Sequence, residues 1–137
     1  MAVKRPSMAG EIEYVEEAPP AAEVIELFRA AELNGPLDEP ERVQRMLDEA
    51  QYVLAARKGS TLVGLVRVLT DFAYNAFIAD LAVLPGFQGR GIGSELLRRS
   101  TEPFPEVKFV VHPGHAADFY VKNGFAETDC VVLMRKL

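Results

Sequence analysis

The stretch Leu81-Ala82-Val83-Leu84-Pro85-Gly86-Phe87-Gln88-Gly89-Arg90-Gly91-Ile92-Gly93-Ser94 constrains this chain more than any other. An apolar run with strand character ends at Pro85-Gly86. Glycines then alternate through positions 89, 91 and 93, and a helical pattern follows with Ile92, Leu96 and Leu97 on one side. Without Cβ atoms, alternate glycines let the backbone curl until successive N–H groups point inward, and an anion can approach them closely. The first turn of the helix adds N–H donors without intrahelical partners and the positive end of its dipole. Together these features describe a pyrophosphate cradle with Arg90 at its rim. Two other phosphate loops are excluded by spacing. A Walker loop needs Lys after its second glycine, where this chain has Ile92. The dinucleotide fingerprint needs an early βαβ unit and a third glycine one residue later than Gly93.

Around this segment the hydrophobic period switches between two and 3.6. Residues 1–10 are poor in apolar side chains and are expected to form a flexible tail, leaving 11–137 as a single domain. Glu11–Val15 reads as a short strand. Pro19-Pro20 opens a helix whose face is Val24, Leu27, Phe28 and Ala31, stopped by Asn34-Gly35-Pro36. A second helix begins near Pro40, with Val43, Met46, Leu47 and Ala50 on its face. Tyr52–Ala56 and Thr61–Thr70 flank Lys58-Gly59-Ser60 as a hairpin. Residues 76–84 form a buried strand, 91–100 a helix and 107–111 a strand. Ala116, Phe119 and Tyr120 mark a helix face closed by Gly124, and Cys130–Met134 reads as a last strand. The order β-α-α-β-β-β-α-β-α-β describes an α/β domain with a mixed sheet.

Composition narrows the function classes. The chain has 137 residues, 49% of them hydrophobic, and a net charge of −5. Residues 1–60 hold 12 acidic and 7 basic side chains, and residues 61–137 hold 8 of each. Non-specific nucleic-acid binding draws on a basic surface, so no nucleic-acid partner is expected. No stretch is long and apolar enough to span a bilayer, and the opening residues lack the apolar core of a secretory signal, so a cytoplasmic, membrane-free protein is expected. The single cysteine, Cys130, forms no internal disulfide and no thiolate cluster, and no metal site is visible.

The run Gln88-Gly89-Arg90-Gly91-Ile92-Gly93, preceded by Val83-Leu84-Pro85, resembles motif A of the GCN5-related N-acetyltransferases, Gln/Arg-x-x-Gly-x-Gly/Ala after a strand. A second block, Ala116-Ala117-Asp118-Phe119-Tyr120-Val121-Lys122-Asn123-Gly124-Phe125, is similar to the family's Ala-x-x-Phe-Tyr-x-Lys-x-Gly-Phe segment. Order and spacing agree across about residues 11–136. The resemblance implies the acyl-CoA N-acyltransferase fold. This is a mixed, mostly antiparallel central sheet with flanking helices, splayed between the fourth and fifth strands. It also implies acetyl-CoA as acyl donor and direct acetyl transfer to a primary amine.

On the same resemblance, backbone groups around Leu81, Ala82 and Val83 meet the pantetheine arm. The amides of Gln88, Gly89, Arg90, Gly91, Ile92, Gly93 and Ser94 hold the pyrophosphate, and Phe119 lines the cofactor. Tyr120 matches the tyrosine that serves the departing sulfur. The family's usual base positions fall at Phe77 and Ala79, neither of which takes a proton. Asp80 is the nearest carboxylate, although regular alternation points it to the opposite face unless a bulge re-aims it. Asp71, His112 and His115 are further candidates for moving a proton through water, and Pro113 replaces a frequent asparagine. Deprotonation through water with no single essential base is therefore expected. Asp38, Glu39, Glu41 and Asp71 suit a cationic acceptor, and a solvated acidic face explains them equally well. The acceptor is expected to be a small-molecule amine. The alternatives are a protein or peptide amine, or a non-catalytic acyl-CoA sensor. Small members of the family are often homodimers.

Overall fold

A computed structural model of the chain describes residues 11–137. The tail expected at 1–10 lies outside the described residues. The elements run β1 (Glu13–Val15), α1 (Ala21–Ala30), α2 (Pro40–Glu49), β2 (Tyr52–Lys58), β3 (Thr61–Thr70), β4 (Asn75–Val83), α3 (Ile92–Thr101), β5 (Lys108–Val111) and α4 (Ala117–Lys122). Short 3₁₀ turns at Pro85–Phe87 and Gly114–Ala116 precede α3 and α4. The five strands lie in chain order, antiparallel from β1 to β4, with β5 parallel to β4. This is the mixed, mostly antiparallel sheet that the sequence pattern and family resemblance imply.

Helices cover both faces. Val24, Leu27 and Phe28 of α1 and Val43 and Leu47 of α2 pack on Val53, Ala55, Leu62, Leu65 and Ala82. Ile92, Leu96 and Leu97 of α3, with Tyr120 of α4, pack on Leu54, Val63, Val66, Val68, Ala76 and Ile78. The apolar stripes of α1 to α3 are those their i, i+3, i+4 spacing predicts. Pro20 flanks α1 as its N-cap, and Pro40 occupies the first turn of α2, where a missing N–H costs no intrahelical bond. Gly64 lets α3 seat closely on the sheet. A Cβ there would stand 3.0 Å from Leu96 Cδ1 and 3.2 Å from the Ala82 carbonyl.

Two ladders carry an extra residue. Ala56 faces Gly64 while Arg57 faces Leu62, leaving Val63 between them. Arg67 faces Asp80 while Val68 faces Ile78, leaving Ala79 unpaired. A single inserted residue shifts side-chain parity along the strand. Accordingly Ala76 and Ile78 lie on the α3/α4 face, and so do Leu81 and Val83, whereas Ala82 lies on the α1/α2 face.

The expected strand at Cys130–Met134 is not formed. Residues 125–137 carry no regular secondary structure, and Val131, Val132, Leu133 and Met134 are exposed. An apolar run with β-propensity becomes a strand only when a neighbour completes its ladder, and no strand lies beside it among the described residues. Cys130, expected in that strand, is exposed.

Candidate active site

The sheet opens where β4 and β5 part. Their pairing runs from Asn75/Lys108 to Ile78/Val111 and then stops. Beyond that point β4 continues, paired to β3 through Val83, so from Ala79 onward its β5-facing edge has no strand partner. The unpaired edge presents main-chain donors and acceptors to whatever enters the gap. Leu81, Ala82 and Val83 all lie along it, Ala82 buried and the other two half-buried.

The glycine loop closes the wide end of this fork. Gly89 and Gly91 have φ of 77° and 83°, the left-handed region, and Gly91 is the N-cap of α3. No side chain caps the helix, and none of the amides from Gly89 to Ser94 donates to a carbonyl or side chain among the described residues. A Cβ on Gly89 or Gly91 would meet nothing within 4 Å, so the concavity is open. Gly93 differs: its Cβ would come within 3.3 Å of the Phe119 ring, so its absence lets α4 lie close against α3. Ile92 is buried in the core beneath. Gln88 Nε2 donates to the Val83 carbonyl at 3.0 Å, tying the loop back to the strand end. Arg90 stacks on Phe87, with its guanidinium carbon 5.1 Å from the ring centroid. Glu95, in the first turn of α3, is held down to about 2 by hydrogen bonds from Arg98 and Arg99, which also offset its charge near the cradle.

Tyr120 is buried at 6% exposure, its ring edge-on to Phe119 (5.1 Å) and Phe125 (5.5 Å). Its hydroxyl makes no hydrogen bond among the described residues, and it lines a cleft of about 300 Å³ with Phe109, Val111 and Phe125. Burial, and then the charge of Asp80, push its pKa up to about 12. A phenol held neutral in this way keeps its O–H as a hydrogen-bond donor.

The extra residue Ala79 sets the direction of Asp80. Its carboxylate accepts from Arg67 Nε at 2.6 Å, with both side chains about a tenth exposed. Asp80 thus shares the α1/α2 face with Phe77, and its charge also reaches Tyr120. The other sequence candidates lie elsewhere. Asp71 accepts the amides of Ala73, Tyr74 and Asn75 in its own turn, and these bonds lower its pKa. Asp38 pairs with Arg29 and Glu39 with Arg42 on the solvated surface, and no partner gathers Glu41 to the fork. His112 stacks on Phe77, ring centroids 5.0 Å apart. His115 sits in the turn before α4.

Residues 48–127 match the model of the acetyltransferase (GNAT) domain. The chain belongs to that family. The matched segment is that family's acetyltransferase domain. A probable acetyltransferase of unknown function from methicillin-resistant Staphylococcus aureus superposes with a TM-score of 0.83 at 21% identity, covering 93% of this chain and 100% of that one. AAC(6')-Iy, in complex with the bisubstrate analogue CoA-S-monomethyl-acetylneamine, superposes at a TM-score of 0.70, 16% identical, over 93% of this chain and 99% of its own. A soybean histone acetyltransferase, TAP1, is 45% identical over 38 residues. That match spans 28% of this chain and 16% of the soybean protein. No helix among the described residues is long and apolar enough to cross a membrane, and no cluster of His, Cys, Asp and Glu among them could hold a metal ion.

Proposed function

We propose that this acetyltransferase moves the acetyl group of acetyl-CoA directly onto the primary amine of a small molecule. The observation that carries the reading is the fork. The free edge of Ala79–Val83 offers the pantetheine amides a strand to pair with, and the unpaired amides from Gly89 to Ser94 sit where that strand ends. In this reading the main chain does most of the binding. Arg90 adds charge at the rim, Gln88 braces the loop, and Phe119 packs against Gly93 beside the arm.

The transfer needs alignment of the amine with the thioester carbonyl and stabilisation of the charge that moves onto sulfur. Tyr120, kept neutral by burial, donates a hydrogen bond from its hydroxyl to the departing sulfur. Asp80 is held by Arg67 on the acceptor side of the fork, where the ion pair carries no net charge and shapes the wall of the acceptor space. A small amine is favoured over a protein acceptor by the neighbouring complex, whose acceptor half is an aminoglycoside fragment.

The test is release of CoA thiol from acetyl-CoA with a panel of phenethylamine, spermidine and neamine beside a lysine-rich peptide. Turnover with one or more of the small amines supports the reading. Turnover with the peptide alone replaces it with a protein acceptor, and tight acetyl-CoA binding without any turnover replaces it with a sensor.

A further inference from the structure

The fold places one more titratable group at the fork. β5 ends its pairing at Val111, so His112 is the first residue of that arm beyond the apex, as Ala79 is on the β4 arm. Phe109 and Val111 face the α3/α4 layer. Alternation sends Val110 and His112 to the other side. The ring contact with Phe77 fixes this, because Phe77 stands opposite Val110 and lies on the face away from Ala76 and Ile78. On this face β4 carries Phe77, which takes no proton, and Asp80, whose carboxylate is bound to Arg67. His112 brings an imidazole from the neighbouring strand to the same place.

The face is also reachable. Leu69, Phe77 and Val110 form one cross-strand row, with Leu69 37% and Val110 45% exposed, and His112 is exposed beside it. An amine can therefore approach the apex from this side while the cofactor occupies the gap. Two of the other sequence candidates are engaged. Asp80 is locked to Arg67, and Asp71 is held by three amides of its own turn.

We infer that His112 is the proton acceptor for the attacking amine, in place of the expected reliance on water alone. The inference rests on the acetyl-transfer reading above. In the step, the acceptor ammonium first releases one proton to solvent water; the lone pair of the resulting neutral amine forms the N–C bond to the thioester carbonyl carbon, and a ring nitrogen of His112 takes one N–H proton. The C–S bond breaks with its electron pair on sulfur, hydrogen-bonded by Tyr120. The imidazolium then returns its proton through water to the thiolate. Amide and CoA thiol leave, and both side chains regain their starting states.

The experiment measures CoA release by wild type and His112→Ala with phenethylamine, spermidine and neamine, with and without added imidazole. A positioned acid–base group contributes roughly 10²–10⁴-fold. The expected result is a fall in kcat of about 10²-fold or more, an unchanged KM for acetyl-CoA, and partial recovery in imidazole. His112 is exposed, so its truncation leaves the core intact. The inference is overturned if His112→Ala keeps kcat within about threefold. It is equally overturned if activity and acetyl-CoA affinity fall together and imidazole restores neither. A wild-type protein that binds acetyl-CoA but acetylates none of the three amines removes the small-amine reading itself, and His112's role with it.

Discussion

Arg67 Nε lies 2.6 Å from Asp80 Oδ2, across the point where Ala79 breaks the β3–β4 register. The bulge therefore turns Asp80 onto the α1/α2 face, and the guanidinium holds it there.

Breaking that pair from the arginine side leaves a carboxylate about a tenth exposed without its counter-ion. Removing one partner of a buried pair costs about 3–5 kcal/mol, whereas replacing both with apolar groups of similar volume is often neutral. Arg67→Met is expected to destabilise the domain by that amount in urea unfolding. Arg67→Met combined with Asp80→Leu is expected to recover most of the loss. If the double variant is as unstable as the single, Asp80 is not the group that Arg67 compensates.

Tyr120→Phe removes the hydroxyl and keeps the edge-on packing with Phe119 and Phe125. Loss of one preorganised donor to developing charge costs about 10²–10³-fold in rate. Steady-state kinetics are expected to show a kcat loss of that order with the KM for acetyl-CoA unchanged. A KM effect alone would place the hydroxyl on the cofactor's ground state instead.

The same phenol makes the fold sensitive to alkali. Burial raises Tyr120 to about 12 from an ordinary 10.0, and burial raises Tyr52 likewise to about 12. Between these values the unfolded chain releases the proton and the folded chain keeps it. By linkage, stability is fully present below about pH 10 and is lost progressively as pH rises to about 12. Denaturation midpoints measured from pH 8 to 12 are expected to fall across that window, and to fall less steeply in Tyr120→Phe.

Gly91 and Gly86 separate strain from space in the loop. Neither would push a Cβ against a neighbour within 4 Å, but only Gly91 has a left-handed φ, 83°. An L-residue in that region costs about 1–2 kcal/mol. Gly91→Ala is expected to lose about that much stability and to weaken acetyl-CoA binding as the cradle shifts. Gly86→Ala is expected to change both very little. Equal effects at the two positions would mean that the curl of residues 89–93 is not what the glycines maintain.

What the sequence revealed, and what it hid, follows the range of the interactions. The cradle was legible because alternate glycines before an amphipathic helix act locally, within the seven residues from Gln88 to Ser94. The helix faces of Val24 and Phe28, or Leu96 and Leu97, were legible for the same reason. The fork was implied by family resemblance and by no local pattern, since it depends on where β5 stops pairing with β4. The bulge at Ala79 needs the partner strand to exist, so the pairing of Asp80 with Arg67 had no signature in either strand alone. The raised pKa of Tyr120 depends on burial and on a carboxylate forty residues away. Cys130–Met134 shows the converse, a local strand pattern for which the sheet supplies no neighbour.

The central claim concerns main-chain amides, and amide chemical shifts read them directly. A ¹H–¹⁵N titration of the ¹⁵N-labelled protein with acetyl-CoA is expected to move the resonances of Gly89 to Ser94 together with those of Ala79 to Val83. Saturable binding that leaves Gly89 to Ser94 unmoved, with the shifts gathered elsewhere, would contradict it.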